Sequence, residues 1–438
     1  MAFFLKLQLT GLVERNRARI GRLAQTMGSA ALSRSAQLAL VVVVARRLGP
    51  TDFGVFVFAI GASVVGGMLG CLGWPLSFNR YFALANNQKD MGKLRGLMQA
   101  SSRVVIVGGS FVMVILLAVS PLVGSLGPGI AAGAFLALPY GLMTLRRQQL
   151  VAVRQAPFAL LLDQGLSSFV LLSAVLMFRL NLLQMLAIYG VTMIVGNVIG
   201  AAIVTRRLPP ELGEVTARYD FRIWMHASVS LLLGQSARLL LARLDVLLVP
   251  TLAGLTQAGL YGAALRTTYI LTFPQFILQT ITAPQFAEAF ASQRITYARK
   301  ILVASLAFAV VTTTPFLLAI LVAPAWVMTE LYGQSFENGA PALVLVALGQ
   351  FAISLGMPFG NVLSMGGRER AFGMLNILVL AISITLAVSL IPSMGAAGGG
   401  TVMLASGLVL LLGQMLLGFK LLGLPNLLNL ITRRSDPS

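Results

Sequence analysis

The chain has 438 residues, of which 57% are hydrophobic and only 10% charged, with a formal charge of +19. Its mean hydropathy of +0.88 lies outside the soluble range, so the excess of Lys and Arg is read as membrane topology rather than as a nucleic-acid surface. One cysteine, Cys71, and one histidine, His226, exclude an internal disulfide, a Cys-based zinc site and an HExxH metal set.

The N-terminal stretch has no apolar core followed by a small-residue cleavage site, so no cleavable signal peptide is expected. Phe3, Phe4, Leu5, Leu7 and Leu9, followed by Arg15, Arg17, Arg19 and Arg22, predict a segment lying on the cytoplasmic surface. Twelve apolar spans then follow, each long enough to cross a bilayer. They cover about 24–45, 53–78, 103–126, 129–151, 157–178, 182–204, 223–250, 259–285, 300–323, 341–364, 371–391 and 396–419. Pro, Gly or charge marks most boundaries, as at Gly49-Pro50, Gly127-Pro128, Pro209-Pro210 and Pro392.

The expected fold is therefore an all-α polytopic membrane protein, with twelve transmembrane helices in two pseudo-symmetric six-helix bundles around a central cavity. Its divisions are a surface segment (1–22), an N-terminal bundle (23–205), a cytoplasmic linker (206–222), a C-terminal bundle (223–423) and a cytoplasmic tail (424–438). Of the 32 Lys and Arg, 25 fall on the side of the termini, 3 on the opposite side and 4 within spans. Under the positive-inside rule both termini are cytoplasmic. No GxxxxGK[ST] phosphate loop occurs, so no ATP site is expected, and the short outer loops leave no room for a separate domain.

An internal echo supports the two-bundle reading. Leu48-Gly49-Pro50-Thr51-Asp52-Phe53-Gly54-Val55-Phe56 aligns with Ala253-Gly254-Leu255-Thr256-Gln257-Ala258-Gly259-Leu260-Tyr261 at an offset of 205. Arg34 corresponds to Arg238 at an offset of 204. Six spans per half, repeated in one orientation, imply a pseudo-two-fold axis along the membrane normal.

The four intramembrane arginines, Arg34, Arg238, Arg243 and Arg266, are the candidate site. A charge near the bilayer centre costs about 2.5–3.5 kcal/mol on insertion scales, so such residues face a cavity or a partner. At a rise of about 1.5 Å per residue, Arg34 and Arg238 lie roughly 17 and 18 Å from the outer ends of their spans, near the midplane. Arg243 and Arg266 share a shallower depth, with Asp245 as counter-charge and on the Arg238 face of its helix. Two readings stay open: a cationic cavity for an anion such as a phosphate, for which arginine's planar fork is suited, or helix-tying ion pairs with Asp163, Asp245 and Glu288. Asp163, with Asp245, is the candidate for proton or sodium coupling or for an ion pair; no cofactor or metal is expected.

The run Ala45-Arg46-Arg47-Leu48-Gly49-Pro50-Thr51-Asp52-Phe53-Gly54-Val55-Phe56 resembles the segment after the first helix of bacterial polysaccharide-biosynthesis flippases. These are the O-antigen and exopolysaccharide transporters of the multidrug/oligosaccharidyl-lipid/polysaccharide exporter superfamily. The likeness continues at Arg243-Leu244-Asp245-Val246, Ala258-Gly259-Leu260-Tyr261, Ala283-Pro284, Leu331-Tyr332-Gly333, Ile391-Pro392 and Gly395-Ala396-Ala397-Gly398. It implies alternating-access transfer of an undecaprenyl-diphosphate-linked oligosaccharide to the periplasmic leaflet of the inner membrane. Membrane lipids, a polysaccharide polymerase and chain-length machinery would be partners, and Arg34 and Arg238 would hold the diphosphate. The related peptidoglycan-precursor flippases carry two additional helices. Rival readings are an ion-coupled multidrug antiporter of the same superfamily, whose cationic substrates four arginines would repel, and a membrane glycosyltransferase or polymerase, which would need larger outer loops.

Overall fold

A computed structural model describes residues 17–241 and 243–423; the expected surface segment before Arg17 and the tail from 424 on lie outside the described residues. The described residues form helices joined by short turns. The first helix, α1 (Arg17–Gly70), contains both of the first two expected spans. They are joined by a kink at Gly49 (φ 73°, ψ 176°), a backbone conformation open to glycine, with Pro50 opening the second half where its missing N–H costs nothing.

The second span stops at Gly70 instead of running to 78. Leu72 and Gly73 take left-handed backbone angles, and α2 (Trp74–Asn87) starts afresh with Pro75 in its first turn. Next come α3 (Met91–Val119), capped by Asp90, and α4 (Gly127–Ala152). The fifth span is α5 (Ala156–Leu160) and α6 (Leu166–Met177), separated by a π-helical turn over Leu161–Gly165. An Asn181/Gln184 capping box opens α7 (Leu182–Arg207), and Arg206 and Arg207 lie in its last turn, where the helix dipole favours cations.

The expected seventh span is also interrupted. Its first part, α8 (Phe221–Leu241), ends before Arg243, a turn residue, and α9 (Leu244–Ala253) continues the chain. Beyond Gly254 follow α10 (Leu255–Ala291), α11 (Ile295–Val322), α12 (Pro324–Tyr332), α13 (Ala340–Met365) and α14 (Glu369–Leu422). A kink at Gly395 divides α14 into the last two spans (φ 58°, ψ −128°). Among the described residues, eight helices are long and apolar enough to cross a membrane. Because α1 and α14 each hold two spans, and α8 with α9 and then α10 supply two more, the twelve expected spans are accommodated in order.

The chain forms two compact units. Among the described residues, one contains those up to Val44, Ala62–Leu122 and Ile130–Leu232; the other contains Ala45–Gly61, Val123–Gly129 and those from Leu233 on. In the first unit Trp74, Phe78, Leu94, Leu97 and Trp224 form a buried cluster, and Gly70 brings α1 against Gly108 and Gly109 of α3. Such small-residue contacts let helix backbones approach where lipid offers no hydrophobic drive to association. The opposite face of α3 exposes Ile106, Val107, Phe111 and Val114, as a lipid-facing surface does. In the second unit Phe286, Ala289, Ile301 and Phe359 pack together.

The duplicated motif meets its own copy inside the second unit. Gly254 (φ 87°, ψ 171°) repeats the backbone conformation of Gly49. Thr51 Oγ1 and Thr256 Oγ1 lie 2.9 Å apart. A Cβ on Gly54 would run into the Leu255 carbonyl, and one on Gly259 into the Pro50 carbonyl. Gly262, in turn, packs on Val57. Each pair is related by the offset of 205 or is its mirror, so the two helix starts cross about a local two-fold axis.

Candidate functional site

In the first unit Arg34 lies on α1, with its side chain exposed and Nη1 donating to Gln37 Oε1 one turn on, at 3.2 Å. The preceding Ser33 faces inward, against Gly165, and donates to the Leu160 carbonyl at 3.3 Å. That contact brings α1 onto the π-helical turn that carries Asp163. The Asp163 carboxylate pairs with Arg147 of α4 (Nη1 to Oδ2, 3.1 Å). The fields of both Arg147 and Arg34 act on it. Of the two, only Arg147 touches the carboxylate, and Arg34 adds positive charge at longer range.

Arg147 is not among the four arginines that the sequence singles out as partners for Asp163. The helix α4 carries it instead as part of Arg146-Arg147-Gln148-Gln149, all of which make contacts inside the unit. Arg146 lays its stem on Gly200 of α7 and donates to Gln149 Oε1 at 2.6 Å. Gln148 Oε1 accepts from Asn79 at 2.7 Å. Two buried donors, Arg146 Nε and Gln149 Nε2, have no acceptor among the described residues. The available signal was Arg146-Arg147 lying inside an otherwise unbroken apolar span.

In the second unit Arg238 occupies the last turn of α8, exposed, with Nη2 donating to Gln235 Oε1 at 3.3 Å. Arg34 and Arg238 thus share one arrangement: an exposed guanidinium steadied by a glutamine one turn away on its own helix. The non-helical backbone at Arg243 (φ −135°, ψ −6°) separates Arg238 from Asp245, so the expectation that they share one helical face does not hold. Asp245 sits in the first turn of α9, where the dipole favours an acid. Its Oδ2 accepts from Tyr261 Oη at 2.5 Å and its Oδ1 from the Val246 amide at 2.9 Å, while Arg243 acts on it through its field. The hydrogen bonds expected from an arginine therefore include one from a tyrosine of α10. Arg266 is partly buried, and its charge acts on Tyr332, whose hydroxyl shares a 2.8 Å hydrogen bond with Thr267.

A neutral polar cluster that sequence reading did not single out lies deeper in this unit. Gln279 donates to Asn361 Oδ1 at 2.8 Å, and beside them Gln275, 2% exposed, has an Nε2 without an acceptor among the described residues. Among the described residues no three of His, Cys, Asp and Glu gather as a metal site would require.

With this geometry in place, comparison with solved structures identifies the architecture. A multidrug resistance MATE family transporter of the MOP superfamily, in its inward-facing conformation, superposes with a TM-score of 0.73 at 14% identity, covering 95% of this chain and 99% of that one. The fold is that of these transporters. The lipid II flippase MurJ, in an inward closed conformation, gives 0.68 at 11% identity, covering 94% and 93%. A mutant of the Vibrio cholerae MATE transporter VcmN gives 0.54 at 16%, covering 92% and 99%. No protein-family model and no curated protein sequence matches the chain. The chain is a multi-pass membrane protein with this transporter architecture and two pseudo-symmetric lobes.

Proposed function

We propose that the protein is a flippase that moves an undecaprenyl-diphosphate-linked oligosaccharide across the bacterial inner membrane by alternating access, for cell-surface polysaccharide assembly. The observation that carries this reading is the matched pair Arg34 and Arg238. Each is an exposed, permanently charged fork held by a glutamine on its own helix, and both stand at corresponding depths of the duplicated sequence. Each such fork suits a phosphate group of a diphosphate, whose oxygens accept paired guanidinium donors. Arg243 and Arg266 add positive charge nearby in sequence, and Asp163, beside Arg147, and Asp245, beside Tyr261, serve as internal counter-ions or as coupling groups. The bundles 23–205 and 223–423 would be the two moving bodies, with both termini cytoplasmic and a polysaccharide polymerase and its chain-length machinery downstream. Likeness to a lipid II flippase supports a lipid-linked substrate.

Likeness to MATE structures supports the second reading, an ion-coupled multidrug antiporter, equally well at the level of fold. The charge balance favours the first. Asp163 already faces Arg147, and Asp245 already faces Tyr261 and Arg243, so neither carboxylate stands open to an organic cation. The test is leaflet reversal of a fluorescent polyprenyl-diphosphate-linked sugar in proteoliposomes against empty vesicles. Protein-dependent reversal supports the flippase; no reversal, with efflux of a lipophilic cation dye, replaces it with the antiporter.

A further inference from the structure

On the first unit, α2 and the start of α8 enclose a cleft of about 160 Å³, lined by none of the four candidate arginines, far above the roughly 10–15 Å³ that admits one water. Its walls are held firmly. Ser77 and Ser228 share a 2.6 Å hydrogen bond, and Gly73 lets α2 approach the Ser228 carbonyl. The chain leading into α8 is strapped to α3: the Arg218 amide donates to the Gly92 carbonyl at 2.9 Å, and Arg95 donates to the carbonyls of Gly213 and Val215.

Two kinds of group face each other across the cleft. Tyr81 and Trp224 line it as a tilted aromatic pair, with ring centroids 6.5 Å apart. Lys93 and Asp220 close it with an ion pair of 2.9 Å, both side chains 36% exposed and so open to exchange partners with a ligand. Apolar Leu84 and Ile223 are exposed at its edge, and Arg80 lies over the Tyr81 ring. The surrounding sequence is the basic belt that the positive-inside rule puts at the cytoplasmic headgroup layer, where Trp and Tyr are favoured.

We infer that this cleft is a binding site for a phospholipid whose headgroup carries a primary ammonium beside its phosphate. Lys93 takes the phosphate. Asp220, with the faces of Tyr81 and Trp224, takes the ammonium, since aromatic faces and a carboxylate both attract a cation. The acyl chains leave over Leu84 and Ile223 into the bilayer. A purely anionic headgroup would leave Asp220 opposed by negative charge, whereas a zwitterionic one satisfies both members of the broken ion pair. This site is separate from the transport reading and does not depend on it.

Native mass spectrometry of the purified full-length protein in detergent tests the inference, with phosphatidylethanolamine, phosphatidylglycerol and soluble O-phosphoethanolamine as probes. The expected result is one phosphatidylethanolamine retained per chain under conditions that strip phosphatidylglycerol. Gln88→Trp, which fills the cleft from an exposed position, abolishes that retention without changing the thermal midpoint. Asp220→Asn lowers the preference for phosphatidylethanolamine over phosphatidylglycerol about tenfold, one lost charged contact. Unchanged retention in Gln88→Trp, or equal retention of both lipids by the wild type, overturns the site. Displacement by O-phosphoethanolamine at the same concentration as the lipid replaces the lipid with a free phosphate compound.

Discussion

Thr51 and Thr256 stand 205 residues apart and share a hydrogen bond, 2.9 Å between their hydroxyl oxygens. Each occupies the same place in its own copy of the repeated motif, so the contact lies on the local two-fold axis. Around it the two chains approach so closely that Gly54 and Gly259 each press on a backbone carbonyl of the other copy.

Gly54→Ala and Gly259→Ala should each destabilise the protein by about 1–3 kcal/mol, because a methyl group must displace backbone and not a side-chain end. Gly234→Ala is the control: its added Cβ meets nothing within 4 Å, and helix propensity favours it by up to about 1 kcal/mol. Thermal midpoints in detergent measure all three. A Gly54→Ala midpoint at or above that of Gly234→Ala would refute the close crossing.

Arg34→Ala with Arg238→Ala should reduce leaflet reversal of the diphosphate-linked sugar about a hundredfold, roughly tenfold for each lost charge-assisted contact. Membrane insertion should be unaffected, since both side chains are exposed. Gln37→Leu and Gln235→Leu should cost less, because the arginines remain and lose only their steadying partner. Full reversal activity in the double arginine variant removes these residues from substrate binding.

Arg147→Gln and Asp163→Asn should be non-additive. Arg147 is 40% exposed, so screening limits the coupling to about 1 kcal/mol. A double-mutant cycle on thermal stability measures it, and strict additivity would mean that the pair contributes nothing.

Tyr261→Phe should cost about 1.5–3 kcal/mol, the range for a hydrogen bond to a charged group, because the Asp245 carboxylate loses its 2.5 Å donor. Asp245→Asn keeps an acceptor for Tyr261 Oη and should cost less. Limited proteolysis and thermal midpoint report both; a reversed order would put the main support of Asp245 elsewhere.

The apolar segments, their order and the repeat were legible in the sequence because each is set locally: a run of apolar residues of bilayer length, or a Gly-Pro pair that stops it. Gly49 and Gly254 were legible as turns for the same reason. What escaped was set by distant partners. Nothing around Arg243 announces a helix break, and no glycine or proline stands there. The π-helical turn at Asp163 is likewise silent in the sequence. Its counter-charge, Arg147, lies across the reversal between α4 and α5, sixteen residues back, where counting charges by loop assigns it to the wrong environment. The tyrosine on Asp245 was hidden because Tyr261 had been read only as part of an apolar-aromatic repeat.

The reciprocal crossing also bears on whether the two halves can exist apart. Gly54 lies against Leu255, and Gly259 against Pro50, so each copy supplies the groove that the other fills. A six-helix half produced by itself would expose that groove at its outer end and would pair with whatever presents the same motif, its own twin included. Co-expression of the severed halves should therefore restore one molecule, and either half alone should form symmetric pairs, the arrangement from which a fused duplicate would descend.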